Sequence, residues 1–247
     1  MNVITKRIVS GGTIQYTGSL DKKNILLILG RNNFLKDEEL IRSLVDALTS
    51  EKMTIVCYEH VGVTTAKRIN LACDQFLSRH KWIPIASRNF LKMCLLVKYP
   101  KVWHYFYLAK MDSPKLVVFQ VKQLRKYLST VDASKNVFLL SRSASGRAAA
   151  LVAEEPVVKK IICLGYPFKH LTASDEQERV RPLATISKPY LIVQGTQDVY
   201  GGREVLDRYT FSPNVSFSFV DADHDFLVSK VEWERVMMEV RDFIAIS

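Results

Sequence analysis

The stretch Asn136-Val137-Phe138-Leu139-Leu140-Ser141-Arg142-Ser143-Ala144-Ser145-Gly146 decides how this chain is read. Its first five residues form an apolar run, the pattern of a strand buried on both faces. The alanine-rich segment from Gly146 to Glu154 reads as a helix. Ser143 therefore stands between a buried strand and a helix, with small residues two positions before and after it. That is the arrangement that presents a nucleophilic serine. The turn must be tight and strained to lift the hydroxyl above the sheet edge. Larger side chains at 141 and 145 would collide with the adjoining strand and helix. The helix that follows also directs its N–H groups and positive dipole end at a reacting carbonyl oxygen. Alternating serines also occur in ordinary polar loops, so the rest of the chain has to decide.

Working outward, Lys188 to Val193 reads as a strand with Pro189 at its start, where a missing N–H is tolerated. It runs into Gln194-Gly195-Thr196-Gln197-Asp198, which puts a carboxylate just past its C-terminal end. Val215 to Val220 alternates as a strand and runs into Asp221-Ala222-Asp223-His224, which puts an imidazole in the same place. Upstream, Asn2 to Val9 and Thr13 to Thr17 flank Gly11-Gly12 and predict a hairpin. Asn24 to Leu29, Met53 to Tyr58 and Lys160 to Leu164 are further buried strands. Leu40, Ile41, Leu44, Val45 and Leu48 recur at helical spacing, as do apolar residues of Lys115 to Leu128 and Val231 to Ile244. This βαβ rhythm implies a mostly parallel sheet of about six to eight strands with helices on both faces. In such a sheet the strand ends carrying Ser143, Asp198 and His224 emerge on one edge, where open α/β folds bind ligands.

Three runs join Ser141-Arg142-Ser143-Ala144-Ser145-Gly146-Arg147 in carrying a family resemblance. They are Leu164-Gly165-Tyr166-Pro167-Phe168, Lys188 through Asp198, and Ala222-Asp223-His224-Asp225-Phe226. Together, and in the order Ser, Asp, His, they resemble the α/β-hydrolase superfamily, and within it the dienelactone-hydrolase-like small serine hydrolases. The resemblance implies the α/β-hydrolase fold. It implies that Ser143 attacks an acyl carbonyl, that His224 is general base and then general acid, and that Asp198 orients the imidazole. The backbone N–H groups of Ala144 and Arg31 would form the oxyanion hole, at about 3–4 kcal/mol each. No metal or organic cofactor is implied; the partner is a small acyl substrate, an ester or thioester. The chain departs from the family at Leu29-Gly30-Arg31-Asn32, where members place His-Gly, and at Ser141 and Ser145, which replace glycines. These departures keep open a non-catalytic interaction module that binds an acidic partner.

Asp221 and Asp223 lie too close to His224 in sequence to orient its ring and read as turn formers. His60, closing the Met53–Tyr58 strand on the same edge, reads as a loop residue, with substrate contact as the alternative. His80, His104 and His170 have no metal-ligand spacing. Cys57, Cys73, Cys94 and Cys163 lack the spacing of a metal or disulfide framework. Gly201-Gly202 lacks a phosphate-binding pattern and reads as the start of a helix.

The 247 residues carry a net charge of +10, and the excess is local. Val61 to Thr130 holds 13 Lys and Arg against Asp74 and Asp112, with 10 of the 25 aromatic residues. The stretch from about 61 to 114 interrupts the βαβ rhythm and looks mostly helical, with Lys67 to Arg79 and Asn89 to Lys98 as its helices. We read one α/β-hydrolase domain over 1–247 with this basic, aromatic segment as a cap insertion. The cap either packs on the sheet domain with its lysines solvated, or forms a lid with a cationic rim. No nucleic-acid-binding motif appears, so nucleic acid is not an expected partner. Phe90 to Tyr107 is apolar, aromatic and basic together, the composition of a peripheral membrane contact. No run of about 18 apolar residues and no secretory h-region is present, so the expected compartment is the cytoplasm.

Overall fold

The computed structural model describes residues 4–17, 19–30, 38–48, 52–84, 88–98, 113–171 and 177–245. Its centre is an eight-stranded sheet made of β1 (Ile4–Val9), β2 (Gly12–Thr17), β3 (Asn24–Leu29), β4 (Met53–His60), β5 (Asn136–Arg142), β6 (Val158–Leu164), β7 (Tyr190–Gly195) and β8 (Val215–Val220). The strand order is β1-β2-β4-β3-β5-β6-β7-β8. β1 and β2 form the expected hairpin, and β2 meets β4 antiparallel. Every pairing from β4 to β8 is parallel. Among the described residues no helix is long and apolar enough to cross a membrane.

The apolar runs form central strands because both of their faces are covered. Every residue of β3 and of β7 is buried. Side chains alternate across the sheet, as strand geometry demands. Leu27, Val56, Leu139, Ile161 and Ile192 face α4 (Ser113–Leu128) and α5 (Ser145–Leu151). Leu26, Ile55, Leu140, Ile162 and Leu191 face α1 (Glu38–Leu48) and α8 (Lys230–Ile244). Two cores of opposite facing thus hold one layer of strands.

The segment after β4 contains α2 (Val61–Arg79) and α3 (Arg88–Lys98). α2 packs against β2 and β4, with Val63, Ile69 and Cys73 buried. The spacing predicts this helix from Lys67, but it starts six residues earlier because His60 caps it: the ring Nδ1 accepts the Gly62 N–H at 3.2 Å. Residues 99–112, which include the aromatic run ending at Tyr107, lie outside the described residues. β5 extends two residues beyond the apolar run, so Ser143 follows the strand directly. α5 ends at Leu151, short of Glu154, with the Val152 N–H closing on the Ala148 and Ala149 carbonyls. Among the described residues there are also the short helices α6 (Arg181–Thr185) and α7 (Val205–Arg208).

α5 crosses β6 at Gly146. A Cβ there would stand 2.4 Å from Cys163 Sγ and 3.1 Å from the Tyr166 ring, both fully buried. We expect Gly146→Ala to destabilise the fold by about 1–3 kcal/mol through overpacking. Cys163→Ala in the same chain should recover part of that loss, because the colliding atom is the thiol. Thermal melts of the double-mutant cycle measure the coupling, and strict additivity would contradict this packing.

Candidate active site

Ser143 has φ 54°, in the left-handed region. Such a residue costs about 1–3 kcal/mol and persists only where its surroundings over-determine it. Here its N–H donates to the Leu164 carbonyl of β6 at 3.1 Å, and its carbonyl accepts the Gly146 N–H at 2.8 Å. The two serines in glycine positions are part of this clamp. Ser141 Oγ donates to the Ile162 carbonyl at 2.8 Å. Ser145 Oγ accepts the Arg142 N–H at 3.0 Å, and its one hydrogen faces the carbonyls of Leu29 at 2.8 Å and Arg142 at 2.9 Å. Both hydroxyls are buried with partners, so these hydrogen bonds offset the cost of their desolvation.

The strand ends bring the other two residues to Ser143. Its Oγ lies 2.8 Å from His224 Nε2, and His224 Nδ1 lies 2.7 Å from Asp198 Oδ2. A carboxylate only accepts, so Nδ1 carries the hydrogen and Nε2 is left to accept from the serine hydroxyl. The Asp198 side chain is 0% exposed and that of His224 12%. Asp198 Oδ1 accepts the Tyr200 N–H at 2.8 Å, and the Tyr200 ring packs 4.5 Å from the imidazole, centre to centre.

Two residues that no motif marks complete the arrangement. Gln194, the last polar side chain of β7, is fully buried. Its Nε2 donates to Asp198 Oδ2 at 2.9 Å and to the Gly201 carbonyl at 2.6 Å, while its Oε1 accepts the Tyr166 N–H at 2.8 Å. Arg142, also buried, donates Nη1 to the Leu164 carbonyl at 2.9 Å and Nη2 to the His224 carbonyl. Its guanidinium lies over the Phe226 ring at 5.0 Å. The signal for Gln194 is a polar residue ending an otherwise apolar run. Arg142 carries none, because an arginine beside a turn ordinarily reads as solvated. Gly165, with φ 67°, leaves room for this packing; a Cβ there would stand 2.7 Å from Arg142 Nη1.

Ala144 directly precedes α5, so its N–H belongs to the group that a helix cannot satisfy internally. Arg31, the other expected oxyanion donor, lies outside the described residues, as does His104. Asp223 forms a turn by accepting the Asp225 N–H at 2.8 Å, and Asp221 accepts from Gln197 at 2.8 Å. The thiols of Cys57 and Cys163 are pushed up to about 11 by burial, which leaves them protonated and unreactive near neutrality.

His60 is a structural cap rather than the loop residue that its position suggests. It also lines a cavity of about 30 Å³ with Leu29, Gly30, Tyr58, Gln120 and Ser145, room for about one water. Burial lowers its pKa from 6.5 to about 4. The unfolded chain therefore takes up this proton first as pH falls. The stability this group confers is complete above about pH 6.5 and is lost progressively towards pH 4, by up to about 3 kcal/mol. Asn at this position keeps an acceptor for the Gly62 N–H without titrating. Denaturant titrations across that window should show a shallower acid slope for His60→Asn than for the parent chain.

Comparisons with known proteins bear on the family and the fold. The sequence model of the family described as "Alpha/beta hydrolase domain" matches residues 109–245. No curated protein matches the chain. Among solved structures, it is similar to an alpha-beta serine hydrolase homologue from Coxiella burnetii (15% identity, 97% of each chain, TM-score 0.59). It is also similar to a serine hydrolase without lid from Xanthomonas campestris (10% identity, 100% of this chain and 96% of that one, TM-score 0.59). A third is the esterase domain of a Rhodothermus marinus protein (16% identity, 98% and 97%, TM-score 0.53). These likenesses describe the fold, and the family match spans more than half of the sequence: the chain belongs to the alpha/beta hydrolase family.

Proposed function

We propose that this protein is a serine hydrolase that cleaves a carboxylic ester or thioester through an acyl-enzyme on Ser143. The observation that carries the reading is the continuous hydrogen-bonded line from Ser143 Oγ through the His224 ring to buried Asp198, at 2.8 and 2.7 Å. A serine retained only as part of a binding scaffold needs no such alignment. The similar solved structures are described as serine hydrolases and esterases, and one as a thioesterase domain, which supports the same class.

In this mechanism Ser143 Oγ bonds to the acyl carbon while its proton passes to His224 Nε2. The resulting imidazolium is stabilised by Asp198, which stays ionised. The oxyanion is held by the Ala144 N–H and, in our proposal, by that of Arg31. Collapse of the tetrahedral species breaks the bond to the alcohol or thiol, which leaves with the proton from His224. A water molecule, deprotonated by the same nitrogen, then attacks the acyl carbon; Ser143 recovers the proton and the carboxylic acid departs. We also propose that the basic helices α2 and α3, inserted between β4 and the next parallel strand, form the cap.

Two experiments test the reading. A fluorophosphonate probe should label Ser143, detected by mass on its peptide, and labelling should vanish in Ser143→Ala and after heat denaturation. Turnover of a short p-nitrophenyl ester should fall by a factor on the order of 10⁴ to 10⁶ in Ser143→Ala. A folded protein that neither labels nor turns over any ester or thioester sinks the proposal and leaves the interaction module. Gln194→Met keeps the volume but withdraws a donor from Asp198 Oδ2. It should lower kcat by about 10- to 100-fold with KM nearly unchanged, because the loss falls on the imidazolium-stabilising carboxylate. An unchanged kcat would show that Asp198 needs no support from Gln194.

A further inference from the structure

The outer surface of α2, the turn at Lys81–Ile83 that follows it, and α3 combines two features that a solvated helix pair does not need. The first is exposed apolar bulk. Trp82 is 81% exposed, Phe90 66%, Leu71 60% and Met93 54%. Trp82, Phe90 and Met93 each belong to a group. The Phe76 ring packs on His80 at 4.5 Å, and His80 meets the Trp82 ring edge-on at 6.4 Å, giving a row of rings across the end of α2. Phe90, Met93 and Cys94 are all exposed and share one stripe of α3, which packs on α2.

The second is charge of one sign. From Val61 to Lys98 the sequence carries seven Lys and Arg against one acid, Asp74. That acid is taken by Arg88, at 2.9 Å. Arg79 and Lys81 are both exposed and flank the ring row directly.

We infer that this face docks on the surface of a lipid bilayer with anionic headgroups. The charge supplies attraction to the headgroup plane, and the rings and aliphatic tips enter the boundary below it. The Trp82 indole, an apolar ring with one polar N–H, favours that depth. A nucleic acid would satisfy the cations and stack on the rings, but it offers nothing to Met93; hydrocarbon does. The inference is independent of whether Ser143 is catalytic.

The test is co-sedimentation of the full chain, with Ser143→Ala run in parallel, on vesicles of neutral phosphatidylcholine and on vesicles with about 30 mol% phosphatidylserine at low salt. Both chains should sediment with the anionic vesicles, at least tenfold more than with neutral ones, and should be released by salt. Trp82→Ser/Phe90→Ser and Arg79→Glu/Lys81→Glu alter exposed side chains, and circular dichroism checks that each variant is folded. Each pair should lower partitioning at least tenfold. An environment-sensitive dye on exposed Cys94 should shift to the blue with anionic vesicles only. Absence of sedimentation, sedimentation that neither pair weakens, or a dye that does not respond overturns the inference. Tight binding to an RNA homopolymer by a chain that ignores vesicles reassigns the face to nucleic acid and overturns it as well.

Discussion

The left-handed backbone at Ser143 is the constraint around which the sheet is arranged. An L-residue does not hold φ 54° unaided, and the restraints come from two strands and a helix at once. β6 accepts its N–H through the Leu164 carbonyl, β3 receives the Ser145 hydroxyl through the Leu29 carbonyl, and α5 begins immediately after it. The central parallel pairings must therefore be in register before the serine can stand where it does. Leu29 lies opposite Ser141, and Ser141 opposite Cys163. The elbow is a product of tertiary structure that a short peptide would not keep.

The acid side of the site follows the opposite logic, stability through complete satisfaction. A carboxylate with no exposed surface is expensive unless each of its oxygens is bonded. Asp198 meets that demand with the Tyr200 N–H, the Gln194 amide and the His224 ring. Gln194 is in turn fixed by the Tyr166 N–H and the Gly201 carbonyl. Such a network leaves the imidazole one tautomer and one orientation, as the proposed role of general base requires.

Much of this was legible in the sequence because it depends on short-range patterns. Continuous apolar runs announced the buried strands, and the residues just past them announced Ser143, Asp198 and His224. What escaped has a physical reason in each case. The early start of α2 rests on a histidine cap, where the usual signals are Ser, Thr, Asp or Asn. α6 has five residues, too few for periodicity to register. Arg142 is hidden because the elbow folds it beneath the histidine loop, where backbone carbonyls, invisible in a sequence, receive its N–H groups. The serines that replace glycines look like a weakening of the motif. In three dimensions they are cross-links that glycines cannot make.

Arg142 spans from the β6 end to the loop that carries His224, and it departs from the residue next to Ser143. One side chain thus ties the loop of His224 to the turn of Ser143, although the two lie 81 positions apart in the chain. Shortening it to alanine would leave the Leu164 and His224 carbonyls without these donors in a buried place, so the cost would fall on the backbone that carries both residues.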